Sequence, residues 1–247
     1  MSEKINQNET MRINRYLSLC GIASRRKADE LIQQKRISVN GIIIDKPGYI
    51  VNMEKDKILF DGKIIKHKLP VHYKFYKPVG IITTAKDERN RNTVMDFFSD
   101  DVPGLFPVGR LDKESEGLII VTNDGELANR LTHPSFGVEK IYEVIIDRVL
   151  TSEEIARLEK GVRLEEGVTA RCKIEITGKT KNGMELLFII HQGWNRQIRR
   201  MLQTTGTNVK ALRRIFIGPI SVQGLKPGEK KKLSSGELNT LKSFVKL

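Results

Sequence analysis

The run GRLDKESEGLIIVTNDGEL, residues 109–127, reads as a loop, a strand and the start of a helix. GLIIVT is an unbroken apolar stretch of strand length, Asn123-Asp124-Gly125 is turn chemistry, and ELANRL continues as a short helix. Working outward, IYEVIID (141–147), KIEIT (173–177) and MELLFII (184–190) are further strands. TSEEIARLEKG (151–161) is a helix with Thr151 or Ser152 as N-cap and Gly161 as its stop. Upstream, HYKFYKPVGIITT (72–84) is a strand that must break at Lys77-Pro78, because proline has no amide proton to give a neighbouring strand. Strands predominate and neighbours are joined by short turns. The expected class is therefore α+β, a mixed and mainly antiparallel sheet with flanking helices, rather than a doubly wound βαβ fold.

The N-terminal part has a different texture. Residues 1–10 are polar without periodicity and read as a disordered tail. From Met11, Ile13, Leu17 and Cys20 form one helical stripe closed by Gly21, and Ser24 can cap a second helix, SRRKADELIQQ, with Ala28, Leu31 and Ile32 inward. Val39-Asn40-Gly41-Ile42 is a hairpin signal, since both turn positions need positive φ. A second strand pair turns at Asp61-Gly62, and residues 66–71 read as a linker. The chain thus divides into a tail (1–10), a small domain (11–65), a linker (66–71) and a larger domain (72–247).

Lys and Arg number 43 against 30 Asp and Glu, a net charge of +13, which favours a polyanionic partner. The surplus is concentrated. Arg12, Arg15, Arg25, Arg26, Lys27, Lys35 and Arg36 face only Asp29 and Glu30 in the small domain. Arg25, Arg26 and Lys27 occupy a helix's first turn, where the macrodipole disfavours cations, so a phosphate ligand explains them better than helix stability does. In GWNRQIRRMLQTTG (193–206), Arg196, Arg199 and Arg200 share one helical face at about 100° per residue, opposite Ile198, Met201 and Leu202. No acidic residue offsets them between Asn195 and Arg214, and Lys210, Arg213, Arg214 and Lys230 to Lys232 extend the basic ground.

Other chemistries find little support. Cys20 and Cys172 are isolated, and His67, His72, His133 and His191 show no ligand spacing, so no metal and no cofactor is expected. The apolar runs are too short to span a membrane and no signal sequence is visible, so a cytoplasmic location, no membrane partner and a monomer are the expectations. Glu114 and Glu116 suit a paired-carboxylate glycosidase poorly, because a two-residue loop spacing fixes no separation. From spacing alone, Arg110-Leu111-Asp112 reads as a surface ion pair, and Trp194 as a packing residue at a helix start.

Residues 11–65 resemble the S4 RNA-binding domain on their helix, SRRKADELI helix and RISVNG hairpin. Behind it, YKPVG, GRLDKESEGLIIVTNDGEL, EKIYEV and GWNRQIRRM follow in an order that resembles the RsuA-type ribosomal pseudouridine synthases, the group of RsuA, RluB, RluE and RluF. The resemblance spans Met11 to about Leu238. It implies isomerisation of a uridine to pseudouridine in ribosomal RNA, most resembling the large-subunit enzymes, with ribosomal RNA or an assembly intermediate as partner. It further implies that Asp112 is the catalytic carboxylate, that Tyr142 stacks on the target base, that Arg199 is the basic partner of Asp112, and that Arg110 probes the RNA stack. Arg12, Arg15, Arg25, Arg26, Lys27, Arg196, Arg200, Arg213 and Arg214 are the further RNA-binding expectations; Lys77 and Pro78 match a motif of structural role. The alternatives are a non-catalytic S4-type binding factor in ribosome assembly, and a small-subunit substrate.

Overall fold

The structure is a computed structural model describing residues 10–66, 69–84, 87, 89, 91–180 and 183–247. Two compact units emerge, one of residues up to Val71 together with Asp100–Leu105, the other His72–Ser99 and Phe106–Leu247. The excursion Asp100–Leu105 was not foreseen within the larger domain. Of the tail expected over 1–10, residues 1–9 lie outside the described residues, and Thr10 is already in a strand. His67 lies outside them as well.

In the first unit β1 (Thr10–Arg12) leads into α1 (Ile13–Leu19) and α2 (Arg25–Gln33), and the Ser24 hydroxyl accepts the Lys27 amide at 3.4 Å as the expected N-cap. β2 (Ile37–Val39) and β3 (Ile42–Ile44) pair through Asn40 at φ 50° and Gly41 at φ 85°, the two positive φ values that the primed turn requires. β4 (Ile50–Asn52) returns to β1, and β5 (Ile58–Phe60) with β6 (Lys63–Ile64) completes a sheet ordered β3-β2-β5-β6. Ile13, Leu17, Ala28 and Ile32 from the helices meet Ile37, Val39 and Ile58 from the sheet in one core. The inward stripe read from the sequence is the one buried.

The second unit is built on a mixed sheet. Its strands are β7 (His72–Lys77), β8 (Phe106–Val108), β9 (Glu116–Thr122), β10 (Lys140–Ile146), β13 (Lys173–Thr180), β14 (Gly183–Ile190), β15 (Val209–Ile217), β16 (Ile220–Ser221) and β17 (Lys230–Lys232), with β11 (Arg163–Leu164) and β12 (Gly167–Val168) a separate hairpin. The order is β13-β14-β10-β15-β9-β7-β17, with β8 on β9 and β16 on β15. All these ladders are antiparallel except β9 with β15, which gives the expected mixed, mainly antiparallel sheet.

Helices α3 (Gly125–Thr132), α4 (Ser152–Lys160), α5 (Gln197–Gln203) and α6 (Ser235–Phe244) flank it. Asp124 caps α3 by accepting two backbone amides, and Thr151 with Glu154 forms a capping box on α4. The buried run Leu118 to Val121 makes β9 the sheet's spine.

The parallel β9–β15 junction depends on a glycine. Gly117 pairs with Arg214 at φ 108°, and a Cβ there would stand 2.3 Å from the Arg214 carbonyl oxygen. Only a residue without a side chain allows the two backbones to close at this point.

Candidate active site

The loop at residues 109–115 is fixed from several sides. Leu111 is buried, and its amide and carbonyl both bond the Thr83 hydroxyl, at 3.2 and 2.9 Å. The Gly80 amide donates to Lys113 O, and the Ser115 amide turns back to Asp112 O. Lys77, at the end of β7, is fully buried and donates its Nζ to Ser115 O at 2.6 Å and Pro78 O at 2.9 Å. Burial pushes this ammonium down to about 8 against the opposing pull of Asp112, Glu114 and Glu116. Lys77 is thus structural, as expected, and the structure it supports is the loop that carries Asp112.

Asp112 lines a pocket of about 300 Å³, near the lower end of ligand-binding cavities. The back wall is one face of three strands. On β10, Lys140 and Tyr142 point the same way two residues apart; Ile190 on β14 and Leu212 and Arg214 on β15 complete that wall. A β-bulge at Ile215 shifts the β15 register so that Arg214 stands directly opposite Tyr142. The front is made by Gly109, Arg110, Leu111, Asp112 and Ser115, and by the segment from Gln192 to Ile198.

Arg214 ties these parts together. Only 4% exposed, it donates Nε to Leu118 O at 2.7 Å and Nη1 to Tyr142 Oη at 3.3 Å and Arg110 O at 3.4 Å. One of the RNA-binding expectations, it is built into the pocket wall. Tyr142 keeps its ring at the pocket while its hydroxyl is held.

The arginine face expected at residues 196–200 is corrected by the structure. Arg196 precedes α5 in the left-handed region at φ 49°, so it does not share the helical stripe. It reaches Glu114 at 2.8 Å and Asp112 at 4.0 Å. Arg199 donates Nη2 to Glu114 O at 3.3 Å and Ser115 Oγ at 3.4 Å, and Nη1 to Val209 O at 3.3 Å. No ion pair joins Arg199 to Asp112, although the carboxylate's charge is felt at the guanidinium.

Arg200 makes a two-pronged pair with Glu166 at 2.6 and 2.7 Å, and Arg213 pairs with Glu143 across β10 and β15. The acids that offset these cations come from other elements, which is why the local stretch gave no sign of them. Strand alternation also sends Arg213 to the face opposite Arg214.

Arg110 is exposed at the pocket mouth and makes no ion pair among the described residues. Trp194 lines the pocket and packs towards Gly167 at the β11–β12 hairpin. In the first unit Arg12, Arg25, Arg26 and Lys27 are exposed and Arg15 is half-buried; Lys27 pairs with Glu30 at 2.5 Å. Lys140 was overlooked, although a period of two from Tyr142 along one strand would have placed it beside that ring.

Taken together, a carboxylate between arginines, an aromatic ring and a rigid loop can orient a planar, uncharged base and attack it or its sugar. Among the described residues no His, Cys, Asp and Glu cluster with metal-binding geometry occurs, and no helix is long and apolar enough to cross a membrane.

Two family models match the chain, an S4 domain over residues 11–58 and an RNA pseudouridylate synthase over residues 72–204. The chain is 36% identical to the ribosomal large subunit pseudouridine synthase B of Bacillus subtilis (strain 168), over 95% of this chain and 96% of that protein. It is equally 36% identical to the dual-specificity RNA pseudouridine synthase RluF of Escherichia coli (strain K12), over 96% of this chain and 80% of the other. Among solved structures, a crystal structure of a pseudouridylate synthase matches with a TM-score of 0.68 and 26% identity, covering 94% of this chain and 99% of that one.

Proposed function

The chain belongs to the RNA pseudouridylate synthase family, with an S4 RNA-binding domain ahead of the synthase domain, and from that premise we propose how its residues isomerise a uridine of ribosomal RNA, in the large subunit. Breaking the N-glycosidic bond, turning the base and rejoining it through carbon consumes neither electrons nor a second substrate. The reaction asks for an ionised carboxylate, a surface for the freed base and a means of taking the nucleotide out of its stack.

The observation that carries the reading is that Asp112 and Tyr142 line one and the same pocket. Asp112 supplies the carboxylate, kept in place by the Thr83, Gly80 and Lys77 contacts to its loop. Arg196 stands 4.0 Å from it, and Arg199 is tethered to Ser115 in the same loop. Tyr142 offers the face on which the extruded uracil stacks in place of its lost neighbours, and Arg110 at the mouth meets the RNA from which it came. A pocket of about 300 Å³ suits one pyrimidine nucleotide.

The S4 domain anchors folded RNA through Arg12, Arg15, Arg25, Arg26 and Lys27 and leaves the chemistry to residues 72–247. The substrate, free ribosomal RNA or an assembly intermediate, places the enzyme in the cytoplasm, acting as a monomer.

Asp112→Asn tests the assignment. Pseudouridine formation in ribosomal RNA from this variant should fall below detection while RNA affinity stays within about twofold of wild type; full activity removes Asp112 from the mechanism.

A further inference from the structure

Two cations in the pocket wall have no counter-charge. Arg214 Nη2 is buried without a hydrogen-bond partner, although Nε and Nη1 of the same group are satisfied. Lys140 lines the same pocket from the neighbouring strand and makes no hydrogen bond or ion pair among the described residues. The charged side chains lining the pocket are Arg110, Lys140, Arg196 and Arg214 against Asp112. Asp112 faces Arg196, which also holds Glu114, so neither acid answers the two cations on the strands.

Buried cations without partners are costly, and neighbouring ones repel each other. Lys140, half-buried, registers both effects, driven down to about 8 by burial and by Arg214. An anion set between them would turn that repulsion into attraction. A uracil carbonyl needs one donor and carries no charge, whereas the anions a target nucleotide brings are its phosphodiesters.

We propose that Lys140 and Arg214 together form a phosphate subsite in the pocket wall, which grips a phosphodiester flanking the extruded uridine. This rests on the reading of the chain as a uridine isomerase. The pocket would thereby recognise a nucleotide by its charge as well as by its base, holding the sugar between Asp112 and the anion subsite. The arrangement also explains why a lysine stands two residues before the stacking tyrosine on β10.

The test compares three small probes on the full-length protein by calorimetric titration: uridine, uridine 5′-monophosphate and uridine 3′-monophosphate. Wild type should bind one of the two monophosphates at least about tenfold more tightly than uridine, and Lys140→Gln should bring that ratio to within about twofold. Arg214→Lys, which keeps the charge but not the fork, should lie between.

Equal binding of all three probes by wild type, or an unchanged ratio in a folded Lys140→Gln protein, overturns the proposal. A matching cycle uses an RNA fragment with a neutral methylphosphonate at either linkage of the target uridine. Lys140→Gln and the neutral linkage should each lower kcat/KM, and together lower it little further; additive losses would also overturn the subsite. If wild type made no pseudouridine in any ribosomal RNA, the functional reading would fail, while the probe ratios would still decide whether the anion subsite exists.

Discussion

Arg214 and Tyr142 stand directly opposite each other on β15 and β10, and the guanidinium Nη1 donates to the phenolic oxygen at 3.3 Å. The same guanidinium reaches Leu118 O on β9 and Arg110 O in the loop that carries Asp112, so one buried side chain joins three parts of the pocket. Several consequences of this construction can be measured.

Tyr142→Phe keeps the stacking surface and removes the acceptor for Arg214. Stability in urea should fall by about 1 to 3 kcal/mol, the cost of leaving a buried charged donor short of a partner. RNA affinity should change little. Tyr142→Ala, which also removes the ring, should cost at least about tenfold more in kcat/KM than Tyr142→Phe. Equal kinetic losses would assign the tyrosine's role to its hydroxyl alone.

Gly117→Ala places a methyl group 2.3 Å from Arg214 O, at a φ of 108° that alanine resists. The two strands must part, at a cost of roughly 3 kcal/mol or more in urea unfolding. A midpoint within experimental error of wild type would show that the β9–β15 junction has slack.

Lys77→Met should separate stability from turnover. Folding lowers this ammonium to about 8 from 10.5, so between those values the unfolded chain holds the proton more often than the folded one. Stability from Lys77 therefore rises with pH through that window, its burial penalty being fully present below about 8 and gone above about 10.5. The wild-type minus Lys77→Met difference in unfolding free energy should climb between those pH values. At neutral pH kcat should drop by at least about tenfold, as the loop bearing Asp112 loses its tether, with RNA affinity nearly unchanged. A flat difference curve would show that Lys77 titrates normally.

Arg110 and Arg200 should behave differently despite equal charge. Arg200 is already neutralised by Glu166, whereas Arg110 is exposed without an ion pair among the described residues. Arg110→Ala should lower the slope of log affinity against log salt by about 0.7 to 0.9, one phosphate's worth, and Arg200→Ala by much less. Replacing Arg25, Arg26 and Lys27 together should lower it by about 2. Equal slopes for the two single variants would mean that RNA displaces Glu166 from Arg200.

The sequence by itself determined the elements, their order and the presence of a basic surplus, because these follow from short-range rules. Ser24 and Thr151 cap the helices that their positions announced, Asp124, read only as part of a turn, caps α3, and Asn40-Gly41 makes its turn, since each depends on φ, ψ or a hydrogen bond within a few residues. The quoted motifs likewise singled out Asp112 and Tyr142, and both line one pocket. What only the tertiary structure decided was which charges stay free. Arg200 and Arg213 are cancelled by Glu166 and Glu143, residues remote in sequence or across a strand pair. Arg196 left the helical stripe because its backbone turned left-handed, and Arg214 entered the pocket through a bulge at Ile215. Local sequence sets conformation and charge density, but a charge is neutralised or exposed according to what the fold brings within a few ångströms of it, since Coulomb energy depends on distance and burial and not on position along the chain.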